Sequence, residues 1–119
     1  MSKSIFILCF YSCFILVPIN IIDSNLYSET LTALLKEARS LENEAEYKQA
    51  ISVYNEALEL AAEEKLMTDA SFIYKKIGLI YYKQKDYRRA AIHLKKSINK
   101  DSISQNAADS YFNLALIYR

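Results

Sequence analysis

The chain has 119 residues, 52% of them hydrophobic, with one glycine, one proline, two cysteines, one histidine and a formal net charge of +1. A single glycine and a single proline exclude a turn-dense β architecture and a Gly-rich phosphate loop, and leave long helices joined by short turns as the natural fold class. The small net charge conceals a division, since residues 23–69 carry four basic and eleven acidic side chains and residues 70–100 carry nine basic and one acidic.

Residues 1–22 read as a signal peptide or N-terminal anchor. The α-amine and Lys3 give a positive start, Ile5 to Val17 form an apolar core, and Pro18 and polar residues follow. No small-x-small pair stands after the core, so membrane attachment through residues 1–22 is an open alternative to cleavage. Either way the charge bias sends the remainder across the cytoplasmic membrane, as a periplasmic, secreted or membrane-anchored protein. Cys9 and Cys13 both lie in this segment, which leaves no disulfide and no zinc site for the rest of the chain. Phe10 to Ser12 are a poor lipidation signal before Cys13.

Residues 23–30 read as a linker, and residues 31–119 as a domain of repeated helix pairs. At an offset of forty, Leu34, Ala38 and Leu41 recur as Tyr74, Gly78 and Tyr81, Tyr47 and Ala50 as Tyr87 and Ala90, and Tyr54, Ala57 and Leu58 as Leu94, Ser97 and Ile98. A partial third copy follows at thirty-seven, with Tyr111, Leu114, Ala115 and Tyr118 in the places of Tyr74, Ile77, Gly78 and Tyr81. The units run about 31–64, 71–104 and an incomplete 108–119.

Apolar residues fall at three- and four-residue steps, which makes each full unit two amphipathic helices. In the first unit Leu31, Leu34, Leu35, Ala38 and Leu41 share one face. A polar turn is expected over Glu42 to Glu46, after which Tyr47, Ala50, Ile51, Tyr54, Ala57, Leu58 and Ala61 share the next. Thr68 is the expected N-cap of the third helix, Asp86 that of the fourth, and Ser104 starts the last. The small residues Ala38, Gly78 and Ala115 suit a close approach of two backbones within a unit.

These residues resemble the tetratricopeptide repeat: an aromatic or Leu, then a small residue and a Tyr on the first helix, then Ala, an aromatic and Ala on the second. The likeness covers about residues 31–119, and the distance of twelve from Ala38 to Ala50 and from Gly78 to Ala90 is the family's. It departs in unit spacing, in having no Trp and in lacking a Pro at unit ends; longer second helices or linkers are expected to absorb the extra residues. The resemblance implies an all-α solenoid of about two and a half repeats whose first helices line a concave groove that binds a peptide or partner protein.

By that matching the groove positions are Thr32, Leu35, Arg39 and Glu42, then Phe72, Lys75, Leu79 and Tyr82, then Phe112 and Leu116. Leu35, Arg39, Phe72, Lys75, Leu79, Tyr82 and Phe112 are the partner-binding candidates. The family's carboxylate clamp is absent, because its slots hold Leu35, Arg39, Lys76, Asp109 and Asn113.

No catalytic residue, metal site or cofactor is expected. His93 is the one histidine, lies off the apolar stripe, and reads as a surface residue with no nucleophile at reach. Arg88, Arg89, Lys95 and Lys96 invite a nucleic-acid reading, which export and the packing positions of the aromatics disfavour. The acidic first unit and basic second unit would steer a charged partner or favour head-to-tail pairing. Tyr111, Leu114 and Tyr118 form a stripe with no following helix, so either the chain is a truncated piece or another chain covers that face, self-association through the uncapped last helix being one way. The function that emerges is an exported protein-interaction scaffold. The alternative is a sensory N-terminal region of a signal-transduction protein with a histidine-kinase or transcriptional output.

Overall fold

The computed structural model describes residues 19–119, with side chains from Asn25 onward. Among these are five α-helices and no strand: α1 (Ile19–Asn43), α2 (Tyr47–Glu63), α3 (Met67–Lys83), α4 (Tyr87–Lys100) and α5 (Gln105–Tyr118). Of the segment 1–22 read as a signal or anchor, residues 1–18, with Cys9 and Cys13, lie outside the described residues. Residues 23–30, expected as a linker, are part of α1. The chain divides into compact units of residues 1–30 and 31–119, and the buried cores belong to the second. No helix among the described residues is long and apolar enough to cross a membrane.

The turns set the rhythm. Ala45, Lys65 and Lys85 have positive φ of 61°, 55° and 63°. The amide of the next residue reaches back to the last helical turn each time: Glu46 to the Leu41 carbonyl at 2.9 Å, Leu66 to Ala61 at 2.8 Å and Asp86 to Tyr81 at 2.9 Å. A second bond, from Ala45 to Glu42, Lys65 to Ala62 and Lys85 to Tyr82, completes the same C-terminal motif, so left-handed residues close all three helices without a glycine. α2 and α3 are 17 residues each, and with a three-residue turn the helix-plus-turn repeats every twenty, which is why the sequence repeats at forty. α4 has 14 residues, three fewer than α2, and the next interval shortens to match.

Helix starts differ from one another. The Asp86 carboxylate accepts from the Arg89 amide at 3.2 Å and the Ser104 hydroxyl from the Ala107 amide at 3.3 Å, as their positions imply. Thr68 does not cap α3: the helix starts at Met67 behind Leu66, and the Thr68 hydroxyl donates to Asp101 at 2.7 Å. The expected turn from Glu42 is also shorter, because Glu42 belongs to α1 and the turn occupies residues 44–46.

α3 packs against α2, α4 and α5, and α4 packs against α5. One core joins Leu31 and Ala38 of α1 to Ala50, Tyr54, Ala57 and Ala61 of α2 and to Ile73, Ile77 and Ile80 of α3. A second gathers Leu94 and Ile98 of α4 with Ala107 and Leu114 of α5. Each fully buried Ile or Leu contributes about 1.5–3 kcal/mol of transfer free energy, and the buried alanines let the helices approach.

The α3 and α4 backbones come close together at Gly78, where a Cβ would stand 2.9 Å from Leu94 Cγ and 3.2 Å from the Ala90 carbonyl oxygen. Nearby, the fully buried Ser71, Ser97 and Ser110 tie three helices together. Ser71 donates to the Ser97 carbonyl and Ser97 to the Ser71 carbonyl, both at 2.8 Å, and Ser110 of α5 donates to Ser97 Oγ at 3.0 Å. Every hydroxyl proton has an acceptor, so this polar cluster is compatible with an otherwise apolar core.

Candidate functional site

The candidate residues lie on α1, α3 and α5, and the structure treats them unequally. Leu35 is half-buried and Arg39 exposed, and with Thr32 and Lys36 they line a concavity of about 410 Å³ on α1. Phe72, Leu79 and Tyr82 on α3 are half-buried, with Phe72 packed on the first core and Tyr82 meeting Tyr87 edge-on at 5.3 Å. Phe112 on α5 is 66% exposed. All seven candidates therefore keep some surface that a partner could cover.

Lys75 differs in being paired within the chain. Its Nζ donates to Asp109 Oδ2 at 2.9 Å and lies 5.5 Å over the Phe72 ring, so it links α3 to α5. Asp109 is held below the ordinary carboxylate range first by the Lys75 hydrogen bond and then by Gln105.

Glu42 is the other surprise. Matched to a groove position, it is instead 7% exposed and is the one buried carboxylate among the described residues. It accepts from Tyr54 Oη at 3.1 Å and from the amines of Lys76 and Lys83, both at 3.1 Å on Oε1, with Lys76 also 2.9 Å from Oε2. Burial pushes its pKa up, and the hydrogen bonds and charge of the two lysines, with the Tyr54 hydrogen bond, more than offset this, leaving the group below the ordinary glutamate value. Burial first, then the adjacent Glu42 charge, drives the Tyr54 phenol upward, so Tyr54 stays protonated and donates. The cluster pins α1 and α2 to α3. Its signal in the sequence was Glu42 falling on the same helical face as Leu31 and Ala38, with two lysines spaced by seven on the partner helix.

His93 is likewise not a simple surface residue. It is half-buried against Tyr81 at 5.2 Å and Tyr74 at 6.3 Å, with Nδ1 2.9 Å from the Arg89 carbonyl oxygen. Desolvation lowers its basicity, with Lys96 and Arg89 adding to the effect against the Arg89 backbone bond, so it is neutral at pH 7. Arg89 covers Tyr81 at 5.7 Å and Lys96 covers Tyr74 at 5.7 Å, forming a basic and aromatic surface where α4 crosses α3.

Of the stripe on α5, Leu114 is buried, whereas Tyr111 and Tyr118 stay 57% and 64% exposed. Beside them a groove of about 440 Å³ runs between α4 and α5, lined by Tyr87, Arg88, Ala91, Ile92, Lys95, Ile117 and Tyr118. No cluster of three or more His, Cys, Asp or Glu side chains that could hold a metal ion occurs among the described residues. No protein-family model matches the chain. No curated protein matches it either.

Proposed function

We propose that the chain is a protein-interaction scaffold of the tetratricopeptide kind, in which α1, α3 and α5 present a surface to an extended segment of another polypeptide. The observation that carries this reading is the twenty-residue register of helix and left-handed turn at Ala45, Lys65 and Lys85. It supports a stack of equivalent helix pairs. Against the usual 34-residue unit, the six added residues of the forty-residue offset are shared by a second helix and the first helix that follows it, since α2 and α3 are equally long and the turns short.

Binding would rest on apolar and aromatic anchors. Leu35, Phe72, Leu79, Tyr82 and Phe112 supply area, and Arg39 a charge at one end. Lys75 positions α5 through Asp109 and leaves partner contact to Phe72 beneath it. Burying an aromatic anchor in a partner's pocket is commonly worth 2 kcal/mol or more, by analogy with about that loss in alanine scans. Export across the cytoplasmic membrane, from the reading of residues 1–22, places the partner outside the cytoplasm in this proposal.

The test is selection of peptides from a random displayed library on the immobilised chain, followed by titration of the selected peptide. Tyr82→Ala and Phe112→Ala should each weaken binding about tenfold or more, with the helical circular dichroism unchanged. Unchanged affinity in both variants, or no peptide selected at all, would sink the reading.

A further inference from the structure

The groove between α4 and α5 repeats, one unit along, the groove between α2 and α3. Lys48, Ile51 and Tyr81 line the earlier groove, and Arg88, Ala91 and Tyr118, the residues at their repeat positions, line the later one. In the earlier groove Arg89 of α4 reaches over the Tyr81 ring at 5.7 Å and the remaining space is about 220 Å³. The later groove is about 440 Å³, with Ala91, Ile92 and Ile117 as its apolar floor. By this internal precedent, the occupant that fits it is another helix.

Charge selects which helix. Between Tyr87 and Lys100, α4 carries five cations and no carboxylate. Arg88 and Lys95, at the rim of the groove, take part in none of the ion pairs among the described residues, and Lys95 rests 5.3 Å over the Tyr118 ring. The complement is found on α2, where Glu56, Glu59 and Glu63 are exposed and likewise enter no ion pair among the described residues. Glu56 and Glu63 are seven residues apart, as are Arg88 and Lys95, so each pair spans about 10.5 Å along its helix. Val53 and Leu60 share the face of Glu56 and Glu63 at three- and four-residue steps and keep partial exposure.

We propose that the α4–α5 groove receives α2 of a second copy of this chain, with Glu56 against Arg88, Glu63 against Lys95, and Val53 and Leu60 over Ile92. The docked helix runs in the same direction as α4, which is the relation that two successive tight turns give α4 to α2 within one chain. Groove and α2 are different surfaces of the molecule, so the contact is heterologous and propagates head to tail. It is separate from the scaffold reading, whose test residues Tyr82 and Phe112 lie outside it.

The experiment is sedimentation velocity of the full chain in a non-ionic detergent at fixed detergent concentration, so that residues 1–22 contribute equally to every sample. The wild type should associate with rising protein concentration, and added salt should weaken this. R88E/K95E makes the groove acidic and E56K/E63K makes α2 basic, so each variant alone should sediment as a monomer with unchanged helicity. An equimolar mixture of the two should recover the wild-type shift, since each then offers what the other lacks. A wild type that stays monomeric up to about 1 mM, association untouched by either variant, or a mixture that fails to recover it would each overturn the proposal.

Discussion

Gly78 shows how much can depend on the absence of one methyl group. Alanine is about 1 kcal/mol better than glycine in a helix interior, yet the added carbon would meet the branch point of Leu94 and the Ala90 carbonyl. Overpacking of this kind costs about 1–3 kcal/mol, so Gly78→Ala should lower stability by about 1 kcal/mol net in urea denaturation. A gain in stability would mean that the helices separate freely there. Glu42 gives a second prediction at the same scale. Its folded value lies below the unfolded 4.5, so the folded state binds fewer protons in that interval. Its contribution is complete above pH 4.5 and disappears as pH falls through the lowered folded value. Glu42→Gln should therefore flatten the acid limb of the stability profile. Glu42→Ala should cost about 3 kcal/mol at neutral pH, the lower end for a broken buried pair because Lys83 keeps access to water.

Among the elements, the turns hold energy that a better sequence would recover. Ala45, Lys65 and Lys85 occupy the left-handed region, which costs a residue with a Cβ about 1 kcal/mol. Replacing all three with glycine should raise the melting temperature by several degrees, since about 1 kcal/mol shifts a domain of this size by roughly 4–8 °C. No rise in differential scanning calorimetry would show that the added freedom of the unfolded chain offsets the relief. The same turns explain what the sequence left hidden. The forty-residue offset was plain from Tyr47, Ala50, Tyr87 and Ala90, but its division into twenties was not, because these turns are closed by backbone bonds and contain no glycine to mark them. Asp86 and Ser104 were legible as caps through their side chains. Thr68 misled because a hydroxyl near a helix start serves a cross-chain bond to Asp101 equally well. At the candidate site the apolar positions were legible by spacing. Ion pairing was not, since Lys75 with Asp109 and Glu42 with Lys76 are each 34 residues apart.

Across the whole molecule, α3 is the centre of gravity. It contacts α2, α4 and α5, receives Glu42 from α1, and shares the buried serines with α4 and α5. Local opening begins at the elements with fewest buried contacts. Amide hydrogen exchange should therefore be slowest in the middle of α3 and faster in the outer helices α2 and α5. Uniform protection from α2 to α5 would indicate one cooperative unit instead. Ser97→Ala should widen that difference by freeing α5, because it removes the acceptor of Ser110 and the donor to Ser71, at about 1–3 kcal/mol for the unmet groups.

The backbone-closed turns also carry a message about descent and engineering. A segment that starts at Tyr47 and ends at Asp86 begins and finishes at the same point of the same turn, and no particular side chain is needed at the joint. Duplicating it in place would add a helix pair with no new junction to invent. Growth by tandem copying thus meets no barrier at the seams, and selection acts only on which faces the added pair turns toward its neighbours.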